Sequence, residues 1–212
     1  MASQQQPTCT PQQYLALERA AETRSEYFDG RIYAMSGASR SHVRVTRNVT
    51  ALLHSQLRGR DCELFTSDMK VRVSDTGLYT YPDATVVCGE PQFTDEVTDV
   101  LLNPTVVIEV LSPSTESYDR GRKFDHYRRL GSLREYVLIA QDRLHVERFA
   151  RGADGHAWVL TVAEGADATV ELPSIACALR VGDLYERVEL PPTAPLRAVY
   201  EDAPRPYASA PA

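Results

Sequence analysis

Thr105-Val106-Val107-Ile108-Glu109-Val110-Leu111 reads as a strand buried on both faces, because apolar residues fill successive positions and not every second one. One acid interrupts the run. An unpaired buried charge is costly enough that proteins pair it, hydrogen-bond it, protonate it or give it a metal, so Glu109 calls for a chemical partner. A second acid, Asp83 in Tyr81-Pro82-Asp83, opens another apolar run, Ala84-Thr85-Val86-Val87-Cys88.

Working outward from these two runs, Thr10-Pro11-Gln12-Gln13 has the form of a helix start, with Thr10 as N-cap, Pro11 at N1 and Gln13 completing a capping box. That helix is expected to reach about Glu22. Ser25–Phe28 and Arg31–Met35 flank Asp29-Gly30, a pair suited to a tight type I′ turn, and so predict a β-hairpin. From Ser39 to Leu57 the residues Val43, Val45, Val49, Leu52, Leu53 and Leu57 recur at helical spacing, with Gly59 just beyond as a stop. Strands are predicted over Glu63–Phe65, Lys70–Val73, Asp83–Cys88 and Thr105–Leu111. A third helix follows the Ser112-Pro113-Ser114-Thr115 caps, lined by Tyr118, Phe124, Tyr127 and Leu130, with Gly121 weakening its first turn. Glu135–Ala140, Leu144–Phe149, Trp158–Val162 and Thr169–Leu172 then read as a meander, with a short helix near Asp183–Val188.

The 212 residues suit one domain over 10–190, between a flexible N-terminus at 1–9 and a Pro/Ala-rich tail at 191–212. With 25% charged and 43% hydrophobic residues, the composition is that of a mixed globular protein and argues against wholesale disorder. No stretch approaches the roughly 20 apolar residues of a membrane span, and MASQQQPTCT lacks a signal-peptide layout, so a cytoplasmic location is expected. Cys9, Cys62, Cys88 and Cys177 form no CxxC and are read as reduced thiols. The net charge of −6 does not predict a generic polyanion binder, leaving any nucleic-acid contact to local clusters such as Arg40, Arg44 and Arg47, or Arg120, Arg122, Lys123, Arg128 and Arg129. Each cluster has a plainer reading as a solvated helix face.

If Asp83 and Glu109 end neighbouring strands, their oxygens converge, and either one takes a proton or a hard cation such as Mg²⁺ neutralises both. Oxygen ligands without a His or Cys cluster favour Mg²⁺ or Mn²⁺ over zinc. Asp119, Lys123 and Tyr127 follow at i, i+4, which sets Lys123 at the border of the buried helix face, able to reach the acids. Two acids, a divalent cation and a lysine suit phosphodiester hydrolysis. Glu26 is a candidate fourth acid, and His42 a candidate phosphate contact or accessory base. A salt bridge from Glu109 to Arg122 or Lys123 would instead satisfy that acid without catalysis.

Glu26-Tyr27-Phe28-Asp29-Gly30, His42, Tyr81-Pro82-Asp83, Ile108-Glu109-Val110-Leu111-Ser112-Pro113-Ser114-Thr115, Asp119 to Lys123, Tyr127 and Glu135-Tyr136 together resemble the Uma-two family of restriction-endonuclease-like proteins, within the PD-(D/E)XK nuclease superfamily. The resemblance covers about residues 10–190 and is most specific from Asp83 through Tyr136. It implies an α/β (α+β mixed) fold: a restriction-endonuclease-like core, with a mixed central β-sheet flanked by helices and an added hairpin and meander. It implies Asp83 and Glu109 as metal ligands and a Mg²⁺- or Mn²⁺-dependent endonuclease acting on nucleic acid, DNA in the first instance. The motif places its lysine two residues after the glutamate, where this chain has Leu111, so the role passes to Lys123 on the following helix. Glu26 resembles an acid that some superfamily members contribute from an early helix or hairpin. His42, Arg44, Arg120, Arg122 and Tyr127 are the accessory or nucleic-acid-binding candidates. The oligomeric state stays open, with a homodimer as the arrangement by which many nucleases reach both strands. Because the superfamily also holds members with other roles, the rival reading is a catalytically silent nucleic-acid- or protein-binding module, supported by the acidic net charge and the missing Glu-x-Lys.

Overall fold

A computed structural model of the protein describes residues 8–192. The N-terminal stretch before residue 8 and all but the first two residues of the expected 191–212 tail lie outside the described residues.

Helix α1 (Pro11–Ala20) starts on the expected capping box: the Gln13 amide donates to Thr10 Oγ1 at 3.2 Å, and the Thr10 amide donates to Gln13 Oε1 at 2.8 Å. It is followed by the hairpin β1 (Ser25–Phe28) and β2 (Arg31–Ala34). Asp29 at φ 48° and Gly30 at φ 77° take the two left-handed positions that a type I′ turn demands. Helix α2 (Arg40–Leu57) opens on Ser39, whose hydroxyl accepts from the His42 amide at 3.1 Å.

The central strand β8 (Val106–Leu111) is buried along its whole length. It pairs antiparallel with β6 (Ala84–Cys88) and parallel with β9 (Glu135–Ala140). With β3 (Cys62–Thr66), β10 (His145–Arg151) and β11 (Trp158–Glu164) they form a six-stranded mixed sheet in the order β11-β10-β9-β8-β6-β3. A second sheet, β2-β1-β5-β4-β7, adds β4 (Lys70–Val73), β5 (Leu78–Thr80) and β7 (Val100–Leu101) to the hairpin. Strands β5 and β7 were not predicted, being three and two residues long with no visible alternation.

Alternation along β8 decides what each face meets. Val106, Ile108 and Val110 join Val45, Val49, Leu53 and Leu57 of α2 in one cluster, and these helical residues recur every four positions to give a single apolar stripe. Each such aliphatic side chain contributes about 1.5–3 kcal/mol on full burial. Val107 and Leu111 face the other way, into a cluster with Val71, Val73, Leu78 and Tyr127. Glu109 shares that second face.

Residues 116–127 form the third helix in three pieces: α3 (Glu116–Tyr118), a π-helical turn over Asp119–Lys123, and α4 (Phe124–Tyr127). The wide turn falls where Gly121 weakens the helix, and it buries Asp119 and Lys123 together. Two expectations are corrected. β12 (Thr169–Leu172) does not extend the meander; it pairs with β13 (Cys177–Arg180), just before helix α5 (Val181–Leu184), because the chain turns back after Pro173–Ile175. The thiols of Cys62 and Cys88 are not free but form a disulfide, since the two residues stand directly opposite each other on β3 and β6.

Candidate active site

The register that pairs Ala84 with Ile108 sets Asp83 opposite Glu109, one step further along. The two acids are linked through the backbone: the Val110 amide donates to Asp83 Oδ2 at 2.7 Å. His42, on the first turn of α2, reaches the same oxygen with Nε2 at 3.2 Å. Burial works against the charged imidazole, but the hydrogen bond and charge of Asp83 outweigh it, so His42 titrates above its ordinary value.

Lys123 comes from the π-helical turn and places Nζ 2.9 Å from Glu109 Oε1, 3.3 Å from Glu26 Oε1 and 3.5 Å from Asp119 Oδ1. Tyr127, one turn on, donates its hydroxyl to Glu109 Oε1 at 3.0 Å. Glu26 arrives from the other sheet on β1 and accepts from the Thr80 hydroxyl at the end of β5. Asp119 is fixed at its backbone, where its carbonyl accepts from the Tyr136 hydroxyl at 3.0 Å. Three layers thus meet at one point: the six-stranded sheet through Asp83 and Glu109, the five-stranded sheet through Glu26, and the helix through Asp119, Lys123 and Tyr127.

Glu109, Asp119 and Lys123 are 4%, 3% and 6% exposed. Burial raises Glu109 to about 8 even with Lys123 in contact, and burial likewise lifts Asp119. Desolvation opposes the Lys123 ammonium, yet Glu109, Glu26 and Asp119 together hold its pKa well above the ordinary lysine value. Lys123 is therefore a cation at neutral pH. Among the described residues, the cations paired with Glu26, Asp83, Glu109 and Asp119 are this lysine and His42, so the acids outnumber the cations and Glu109 makes up part of the difference by holding a proton.

The contacts to Asp83 and Glu109 use Oδ2 and Oε1, which leaves Oδ1 and Oε2 outside these bonds. Among the described residues, no group of three or more His, Cys, Asp or Glu is arranged to hold a metal. A Mg²⁺ ion takes one or two carboxylates and fills the rest of its octahedron with water and phosphate oxygens, so it would ask of the chain no more than those two carboxylate oxygens.

The remaining candidates spread outward. Arg44 is tied to Glu189 at 3.2 Å, and Arg120 bridges Glu116 at 2.9 Å and also Glu147. Arg122 is exposed and makes no ion pair among the described residues. Asp119 and Thr80 join the cluster beyond the expected set; the sequence signal for Asp119 is its helical spacing from Lys123, and Thr80 lies on a strand too short to show one.

With this geometry in place, similarity to known proteins becomes informative. Residues 11–182 match the family model Uma2, described as "Putative restriction endonuclease". The chain belongs to the Uma2 family. It is 36% identical over 179 residues to the uncharacterised protein slr1290 of Synechocystis sp., covering 84% of this chain and 92% of that one. A second uncharacterised Synechocystis protein, sll1609, is 38% identical over 162 residues, covering 76% and 91%. Among solved structures, this Uma2 member is similar to one described as a "putative nuclease belonging to DUF820" from Anabaena variabilis, with a TM-score of 0.64 at 21% identity over 78% of this chain and 92% of the other. At that identity the likeness concerns the fold, which is a mixed α+β, restriction-endonuclease-like core as expected from the sequence. Among the described residues of this Uma2 chain, no helix is long and apolar enough to cross a membrane.

Proposed function

We propose that this member of a nuclease family is a Mg²⁺- or Mn²⁺-dependent endonuclease that hydrolyses DNA phosphodiester bonds, with Asp83 and Glu109 as metal ligands. The observation that carries this reading is the meeting of those two acids, from adjacent strands, with the Lys123 ammonium 2.9 Å from Glu109. A lysine two residues after the glutamate would occupy Leu111, and here the helix delivers the same charge to the same acid.

When bound, a divalent cation supplies Lewis-acid polarisation of the phosphate and makes water more acidic. The chain's own residues do the rest. The Val110 amide and His42 hold the Asp83 carboxylate, while Tyr127 and Lys123 hold that of Glu109. Lys123 stays protonated, so it acts as a donor to the negative charge that develops on the phosphoryl oxygens and to the attacking water, and not as the base. Glu26 keeps the ammonium aimed at the site from the opposite sheet. A P–O bond to the water oxygen forms as the ester P–O bond breaks; the water gives up a proton to solvent and the leaving oxygen takes one up, so the protons balance. Exclusion of bulk water around these buried groups strengthens each of these interactions.

The rival is a non-cutting binding module, favoured by the way three acidic side chains, Glu26, Glu109 and Asp119, already surround Lys123. Supercoiled plasmid separates the two. The nuclease reading expects nicked and linear DNA only with Mg²⁺ or Mn²⁺, and none from Asp83→Ala or Glu109→Ala. Wild-type protein that binds plasmid and leaves it intact across a range of both ions points to the module.

A further inference from the structure

Strand β2 is the edge of its sheet, and all of its residues are exposed. Its register places Tyr33 directly across from Glu26 and Arg31 across from Phe28. Directly opposed residues, and residues two apart on one strand, project from the same face, so Glu26, Phe28, Arg31 and Tyr33 share a face. The inner pair of that face is engaged: Glu26 meets Lys123 at 3.3 Å, and Phe28 packs its ring against His126 with centroids 4.7 Å apart. The outer pair looks past the acid cluster into solvent. Tyr33 is 48% exposed, and Arg31 makes no ion pair among the described residues.

The charge pattern points the same way. Residues 31–40 are exposed throughout and contain no acid, within a chain of net charge −6; of their two arginines Arg40 pairs with Glu189 at 3.3 Å, which leaves Arg31. Arg122, exposed on the π-helical turn that carries Lys123, adds a further cation with no ion pair among the described residues. An exposed aromatic ring beside an unpaired arginine is what a nucleic-acid strand uses when its bases are unstacked: the ring takes the face of a base, and the guanidinium takes the neighbouring phosphate. A base inside a duplex already stacks on both neighbours and cannot use such a ring.

Building on the nuclease reading, we propose that Tyr33 is a stacking platform for an unpaired base and that Arg31 holds an adjacent phosphate. The substrate strand then crosses β2 to the acid cluster as a single strand or a frayed duplex end. The rival occupant of this edge is a second copy, paired through the exposed Ile32, Tyr33 and Met35.

The test uses the full chain and a single-stranded oligonucleotide carrying 2-aminopurine and an end-label, with Ca²⁺ in place of Mg²⁺. Wild type and Tyr33→Phe are expected to bind it and quench the 2-aminopurine, and to bind the fully paired duplex less well. Tyr33→Ala is expected to lose the quench and to weaken binding by about 5- to 100-fold. Arg31→Ala is expected to reduce the salt slope of binding by about one. Tyr33→Ala with wild-type affinity and quench overturns the stacking site, as does a Tyr33→Ala variant that binds normally but turns a dimer into a monomer in sedimentation. Plasmid cutting separates this from the parent reading. Cutting with no effect of Tyr33→Ala on binding ends this inference alone, whereas Tyr33-dependent binding without cutting in Mg²⁺ keeps the platform and ends the nuclease reading.

Discussion

Lys123 Nζ stands 2.9 Å from Glu109 Oε1, and Glu26 and Asp119 approach the same ammonium from a different sheet and from the same helical turn. Removing the ammonium leaves buried carboxylates without their main counter-charge. Lys123→Met is expected to destabilise the fold by about 3–5 kcal/mol, and Glu109→Gln in the same chain to restore part of the loss. A double-mutant cycle in urea checks this. Additive effects would show that the two side chains do not interact as described.

The Glu109 carboxyl is raised from an ordinary 4.5 to about 8, chiefly by burial. The folded chain therefore holds a proton that the unfolded chain releases as pH rises above about 4.5. Stability contributed by the neutral carboxyl is fully present below that pH and is lost as pH rises through about 8. In EDTA, the unfolding midpoint is expected to fall over this window in the wild type. Glu109→Gln, which cannot titrate, is expected to show a flatter profile, and equal slopes would contradict the assignment.

A divalent cation at Asp83 and Glu109 has to displace that proton. Calorimetry at pH 7 in buffers of different ionisation enthalpy is expected to show proton release on Mn²⁺ binding, and thermal scans a midpoint that rises with Mn²⁺ concentration. Asp83→Asn is expected to abolish both effects. Heats that do not depend on the buffer would place the ion elsewhere.

The Cys62–Cys88 disulfide closes a loop of 26 residues between β3 and β6, the strand that leads out from Asp83. Reduction or a Cys62→Ala, Cys88→Ala pair is expected to cost about 3 kcal/mol. Unfolding curves with and without reductant, beside mass spectrometry for the bond, provide the measurement.

Much of this arrangement is legible before any coordinates, for local reasons. Thr10 with Gln13, and Asp29-Gly30, set backbone geometry through neighbours in sequence, and both stand as read. Glu109 points to the buried ion cluster because a charge in an apolar run needs a partner, and Lys123 is that partner. What the sequence does not show depends on long-range register. The strands divide into two sheets through the short β5 and β7, whose two or three residues carry no period. Cys62 and Cys88 look unrelated until β3 lies against β6. Asp119 and Thr80 join the cluster only because the π-helical turn and the second sheet bring them there.

The most direct measurement is Mn²⁺-supported cleavage of supercoiled plasmid by Asp83→Asn and Glu109→Gln, which keep the shape of each side chain and remove its charge. Both variants are predicted to fold and to cut at least about 100-fold more slowly than the wild type. Either folded variant cutting at the wild-type rate would contradict the claim that these two carboxylates form the catalytic centre.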